Sequence, residues 1–225
     1  MKHRLVCAGI FLISLATVLL AATPALAQQK SRNWLLCESN KTPPAEGLAA
    51  CTAITKSRSE PAPNRAVAFF NLGQIHRRAG RLAEAITEYT ASIALVSTNY
   101  DPRWLRADAH MLLRQYAEAI PDLSWCINNT PLKGVPHLMR GISYLGIRKY
   151  DEAIADFEAG LRWNNENVSK FSSPEGKRKS DTPMTYGIGL VKRKKGDQSG
   201  GDADVAAALA TEPRNAELFK KFGFE

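Results

Sequence analysis

Cysteine is scarce in this chain of 225 residues: there are four in all, too few for a disulfide-dense scaffold. Acidic residues are the minority, 22 Asp+Glu against 30 Lys+Arg, for a formal net charge of +8. The hydrophobic fraction of 44% and charged fraction of 23% are ordinary for a globular chain. They exclude a collagen-like, a wholly disordered and a multi-span membrane protein. Catalytic signatures are missing too. There is no H-E-x-x-H, no G-x-S-x-G, no phosphate-binding loop and no G-x-G-x-x-G. The Gly200-Gly201 pair has neither a preceding strand nor a phosphate-site lysine and reads as a turn. The length fits one large domain or two small ones.

The one long apolar run stands at the start. Lys2-His3-Arg4 precedes an apolar stretch from Leu5 to Leu20, and Thr23-Pro24-Ala25-Leu26-Ala27 follows with small residues in an A-x-A arrangement. Positive head, apolar middle and small-residue exit read as a signal peptide cleaved after Ala27, with a retained membrane anchor as the other reading. The mature chain is then residues 28–225, exported, with the bacterial periplasm as the expected location. Cys37 and Cys51 follow close behind, and in an oxidising compartment they read as a local disulfide; two unrelated reduced thiols are the competing reading. Closing a loop of about 15 residues would contribute roughly 3 kcal/mol.

A fixed period organises the rest. Leu72-Gly73, Arg106-Ala107 and Arg140-Gly141 are each followed by His76, His110 and Tyr144, then by Ala85, Ala119 and Ala153, then by Tyr89, Leu123 and Phe157. The step is 34 residues each time, without a gap. Each copy carries two apolar stripes at helical spacing, separated by a turn near Gly80, Arg114 and Arg148. Small residues (Gly73, Ala85, Ser92; Ala107, Ala119, Cys126; Gly141, Ala153, Gly160) stand where two helices must approach closely. A lone helix pair cannot bury such faces, but stacked pairs share a continuous core.

At these residues the sequence resembles the tetratricopeptide repeat family, whose W-x2-L-G-x2-Y…A-x3-F…P signature is met at Phe69, Leu72, Gly73, Ala85 and Tyr89. It is met again at Ala119 and Pro131, and at Gly141, Tyr144, Ala153 and Phe157. His76 and His110 depart from the tyrosine, Arg106 and Arg140 from the leucine, and Pro121 falls early in a second helix. The resemblance covers residues 66–167 and implies an all-α, right-handed α-solenoid of stacked antiparallel helix pairs. Three units fall at 66–99, 100–133 and 134–167, after an N-terminal cap segment at 28–65. Residues 168–182 read as a polar, basic insertion loop, long enough to be mobile. Residues 183–225 read as a degenerate fourth unit, with a turn about two residues longer than the others, plus a capping helix from Asn215 to Phe222 ended by Gly223.

In this family the first helix of each pair lines a concave groove for peptides or helices. The corresponding residues here include Phe70, Gln74, Arg77, Trp104, Asp108, Met111, Leu138 and Ile142. The carboxylate-clamp set of Lys, Asn and Arg is not reproduced, Arg77 and Arg78 apart. A mixed groove with Trp104 and Met111 suits an amphipathic helix or an extended hydrophobic segment. The competing reading is that the apolar residues of the third unit are covered by the chain's own insertion or its fourth unit.

A second surface is electrostatic. Residues 170–195 hold eight basic residues, among them Lys177, Arg178, Lys179, Lys192, Arg193, Lys194 and Lys195, against Glu175 and Asp181. The two groups are separated by about 13 helical residues, roughly 20 Å, beyond a screening length of about 8 Å, so only an extended anionic polymer or surface would feel both. Cations at a helix C-terminus are also accounted for by the helix dipole. His76 and His110 share one repeat position, and neither has a Cys, Asp or Glu beside it at ligand spacing. The sequence therefore reads as a non-enzymatic interaction scaffold, with no cofactor, metal or small-molecule substrate. Its partner is a protein segment in the groove. The alternative is an accessory protein binding an anionic polymer or membrane surface through 170–195. Self-association through the groove fits the same residues.

Overall fold

The computed structural model describes residues 31–224, so the leader expected at residues 1–27 lies outside the described part. Among the described residues there are eleven α-helices and no strand: α1 (Arg32–Glu38), α2 (Pro44–Lys56), α3 (Ala62–Arg78), α4 (Leu82–Leu95), α5 (Tyr100–Leu112), α6 (Tyr116–Asn129), α7 (Gly134–Gly146), α8 (Tyr150–Glu166), α9 (Pro174–Lys194), α10 (Gln198–Thr211) and α11 (Asn215–Lys221). Each helix up to α10 packs on its neighbours in sequence, as an α-solenoid requires. None of the described helices is long and apolar enough to cross a membrane.

The turn within each pair is built the same way four times. Gly80, Arg114, Arg148 and Gly196 all have left-handed backbones, with φ of 74°, 62°, 62° and 96°. In each, the next residue's N–H reaches back to the carbonyl of His76, His110, Tyr144 or Lys192, closing a Schellman cap. His76 and His110 thus end a helix. His76 Nδ1 accepts from Arg81 Nε at 3.0 Å, and His110 Nδ1 lies 2.9 Å from Gln115 Oε1. Burial first, then Arg81, pushes the His76 pKa down.

The small residues are where the helices cross. A methyl on Gly73 would sit 2.4 Å from the Tyr89 ring, and one on Gly141 2.6 Å from the Phe157 ring. In the fourth pair, a methyl on Gly189 would sit 2.8 Å from the carbonyl of Gly201 and 2.9 Å from Val205, so Val205 takes the place of the aromatic ring and the backbones close in. This register corrects one expectation: the fourth turn is no longer than the others. Gly196 ends the first helix, and Asp197 caps α10 by accepting from Gly200 N at 2.9 Å.

A second correction concerns 168–182, which is not a loop. A 3₁₀ turn covers Val168–Lys170, and α9 begins at Pro174. Ser173 Oγ accepts from Gly176 N at 3.0 Å, proline occupies the first turn, and the Glu175–Lys179 and Lys177–Asp181 pairs follow at i,i+4. The insertion lengthens helices: α8 has 17 residues and α9 has 21, against 14 and 13 for α6 and α7.

Two buried clusters run through the array. A small one joins α1, α2 and α3 through Cys37, Ala50, Cys51, Ile54, Ala68 and Leu72; the large one runs from Ala107 to Phe222. Cys37 and Cys51 form a disulfide with Cα atoms 4.9 Å apart, tying α1 to α2. Cys126 is free and fully buried, and burial pushes its thiol up to about 12.

The arginines that depart from the family signature are explained by a second periodic feature. Arg106 grips Asp122 with Nε to Oδ2 at 2.7 Å and Nη2 to Oδ1 at 2.8 Å. One repeat later, Arg140 grips Asp156 in the same fork, both distances 2.7 Å. Arg103 and His137 add a further bond to each carboxylate. Asp122 and Asp156 are buried, so these pairs lock the second helix of a unit to the first.

Candidate functional site: the concave face

The first helices of successive pairs, α3, α5, α7 and α9, present one face, part of it open and part covered. The open part comprises α3 and the starts of α5 and α7. Val67 and Val135, at the same repeat position, are 37% and 52% exposed. Phe70 and Gln74 are half-buried on α3, and Trp104 is half-buried on α5, stacked on Tyr100 with ring centres 6.2 Å apart. This strip is apolar and accessible.

The rest of the face is covered, and the boundary runs obliquely: Leu138 is buried although it shares a repeat position with Phe70 and Trp104. Met111, Leu138 and Ile142 are buried in the same core as Phe219 and Phe222 of the C-terminal segment. The capping helix α11 turns back across the face: Arg114 Nη1 donates to the carbonyl of Lys221 at 3.0 Å, and the Tyr116 hydroxyl donates to that of Phe222. The Phe219 ring lies 5.0 Å from Tyr186 on α9. Asp108, nearly buried, takes both Arg77 (Nε at 3.0 Å) and Lys221 (Nζ at 3.5 Å). Of the eight residues placed in the groove from sequence, Phe70, Gln74 and Trp104 are accessible. Arg77 and Asp108 hold each other, and Met111, Leu138 and Ile142 are buried in the core that the chain's own tail joins. Sequence reasoning missed Arg114, Tyr116, Phe219 and Phe222 as groove residues. Three aromatics in the six residues from Phe219 to Phe224 were the available signal, since a simple cap needs only one apolar face.

All seven basic residues of interest lie on or directly after α9, at opposite ends, and carboxylates meet most of them. Lys177 pairs with Asp181, Lys179 with Glu175, Lys192 with Asp204 at 2.7 Å, Arg193 with Asp202 at 2.6 Å and Lys195 with Asp151. Arg178 and Lys194 are exposed. The stretch is therefore a series of ion pairs along about 20 Å of helix rather than one positive patch. Among the described residues no three His, Cys, Asp or Glu side chains converge as metal ligands.

Two models of the tetratricopeptide repeat match the chain, one over residues 44–102 and one over residues 137–167. No curated protein matches it. Among solved structures, MamA from residue 41 to its end, from Desulfovibrio magneticus RS-1, superposes with a TM-score of 0.64 at 14% identity, covering 82% of this chain and 97% of that one. Another crystal structure of MamA gives 0.60 at 18% identity, over 77% and 91%. YrrB, described as a TPR protein with an unusual peptide-binding site, gives 0.64 at 17% identity, over 84% and 88%. These similarities match the solenoid of helix pairs. With the 34-residue period, the recurring Schellman turns and the glycine crossings, they lead to one assignment: the chain carries tetratricopeptide repeats, matched over residues 44–102 and 137–167.

Proposed function

We propose that the protein is an exported, non-enzymatic scaffold that binds a peptide or amphipathic helix of an envelope protein along its concave face. The repeats are a protein-interaction module, and the observation that carries the finer reading is the division of that face. An accessible strip of Val67, Phe70, Trp104 and Val135 runs beside a half that already holds a helix. A surface that docks α11 through buried aromatics and side-chain bonds to main-chain carbonyls has the chemistry to dock another helix. YrrB's described peptide-binding site supports the same use of this fold. Export is supported by the leader pattern and by the Cys37–Cys51 bond, which persists in oxidising compartments.

The test is crosslinked capture from envelope extract by the mature protein at low and high salt, beside a Trp104→Ala variant and one with Lys192–Lys195 neutralised. A discrete partner retained in high salt and lost with Trp104→Ala supports the groove. Binding that disappears with salt and with the lysines overturns it in favour of an anionic polymer or membrane surface.

A further inference from the structure

α11 is seven residues long, well below the ~12 at which a helix holds by itself in water, so its shape depends on the surface beneath it. That surface grips it through three separate chemistries. Arg114 and Tyr116 take the carbonyls of Lys221 and Phe222. Main-chain carbonyls are exposed at the end of any helix, so these two bonds do not depend on its sequence. Phe219 and Phe222, three positions apart on one side of the turn, are both buried. Lys221, between them, reaches Asp108 at 3.5 Å. Gly223 ends the helix at φ 86°, a left-handed backbone that favours glycine, and a methyl there would lie 2.7 Å from the Arg114 guanidinium and displace it. The link to α10 is only Glu212, Pro213 and Arg214. Of α11's surroundings on the groove, Arg114 and Tyr116 precede it by more than 100 residues. A docking site with side-chain pockets, a charge contact and sequence-independent bonds to backbone is how a groove holds a bound peptide.

We propose that residues 215–224 are a tethered stand-in for the partner. Beside the accessible strip that first engages the partner, the covered half takes a short helix of that partner carrying two aromatic residues three positions apart, a basic residue between them and glycine after the second. It binds by displacing α11. This rests on the groove-binding reading and names the chemistry that reading leaves open. A tail on so short a tether presents itself at an effective concentration on the order of millimolar. An untethered segment of the same chemistry finds the groove open only a small fraction of the time, and its apparent affinity falls by that fraction.

The probe is a fluorescein-labelled peptide with the sequence of residues 213–225, titrated by anisotropy against the full mature chain. Two variants disable the tail without altering the groove: Phe219→Ala with Phe222→Ala, and Lys221→Glu with Gly223→Val. The second leaves both buried rings in place and keeps the test open if the first fails to fold by circular dichroism. The expected result is binding at least tenfold tighter to a folded tail-disabled variant than to the wild type, reversed when Arg114→Ala and Tyr116→Phe are added. Equal binding to both forms, or none to a folded tail-disabled variant, overturns the proposal. A concentration-dependent wild-type dimer dissolved by the peptide would place a second copy's tail in the groove and overturn the intramolecular account. A partner captured through Trp104 while the peptide fails would leave the scaffold reading standing and remove the tail's role alone.

Discussion

Gly73 against Tyr89 and Gly141 against Phe157 show how one atom sets the spacing of a helix pair. A methyl at either glycine would enter the ring it faces, and both rings are fully buried, so the helices would have to part. Gly73→Ala and Gly141→Ala are each expected to destabilise by about 1–3 kcal/mol in urea unfolding. Gly176→Ala, whose added methyl meets only serine hydroxyls at 3.4 Å, should be neutral or stabilising by up to about 1 kcal/mol. Asp156 gives a pH-dependent counterpart. Burial pushes its carboxyl up, but the bonds from Arg140 and His137 outweigh that and hold it below the usual carboxylate range. A depressed carboxylate contributes stability that is full above about pH 4 and is lost as pH falls through its folded value. Asp156→Asn should therefore cost about 2 kcal/mol at pH 7, and its difference from the wild type should shrink below about pH 4.

At the scale of the element, the left-handed turn makes a sharp comparison. Arg114 and Arg148 occupy a backbone conformation that costs an L-residue about 1 kcal/mol, where the first and fourth pairs place glycine. Arg148→Gly should stabilise by about 0.5–1 kcal/mol. Arg114→Gly relieves the same turn but gives up the bond to the Lys221 carbonyl, so amides of residues 215–224 should exchange faster. At the other end of the array, reducing Cys37–Cys51 should cost about 3 kcal/mol and loosen α1 first, read as exchange of its amides with and without reductant. The helix pairs from α3 to α8 were legible in the sequence because small and large residues recur every 34 positions. The start of α9 was obscured by composition: Ser173-Pro174-Glu175 is a helix start, yet the serines and lysines around it read as loop. The paired arginines were visible only as departures from a signature, since their reason is a carboxylate 16 residues on, across the helix pair.

At the scale of the whole molecule, what the sequence hid is the return of the tail. Periodicity records which residues stack on the next layer, and it carries no trace of a segment that crosses back over three layers. The C-terminal residues were read as a cap, and Met111, Leu138 and Ile142 as open groove; Phe219 and Phe222 join them in one core. The molecule is thus a solenoid with one half of its concave face closed by itself and the other half, around Trp104, left accessible. The account stands or falls on that accessible half being where a partner protein binds. The most direct measurement places a photo-crosslinking residue at position 104 and, in a second protein, at exposed position 87 on α4, and exposes both to envelope extract in low and high salt. A discrete crosslinked species from position 104 alone, persisting in high salt, is the predicted result. Equal labelling from positions 104 and 87, or labelling that vanishes with salt, would contradict it.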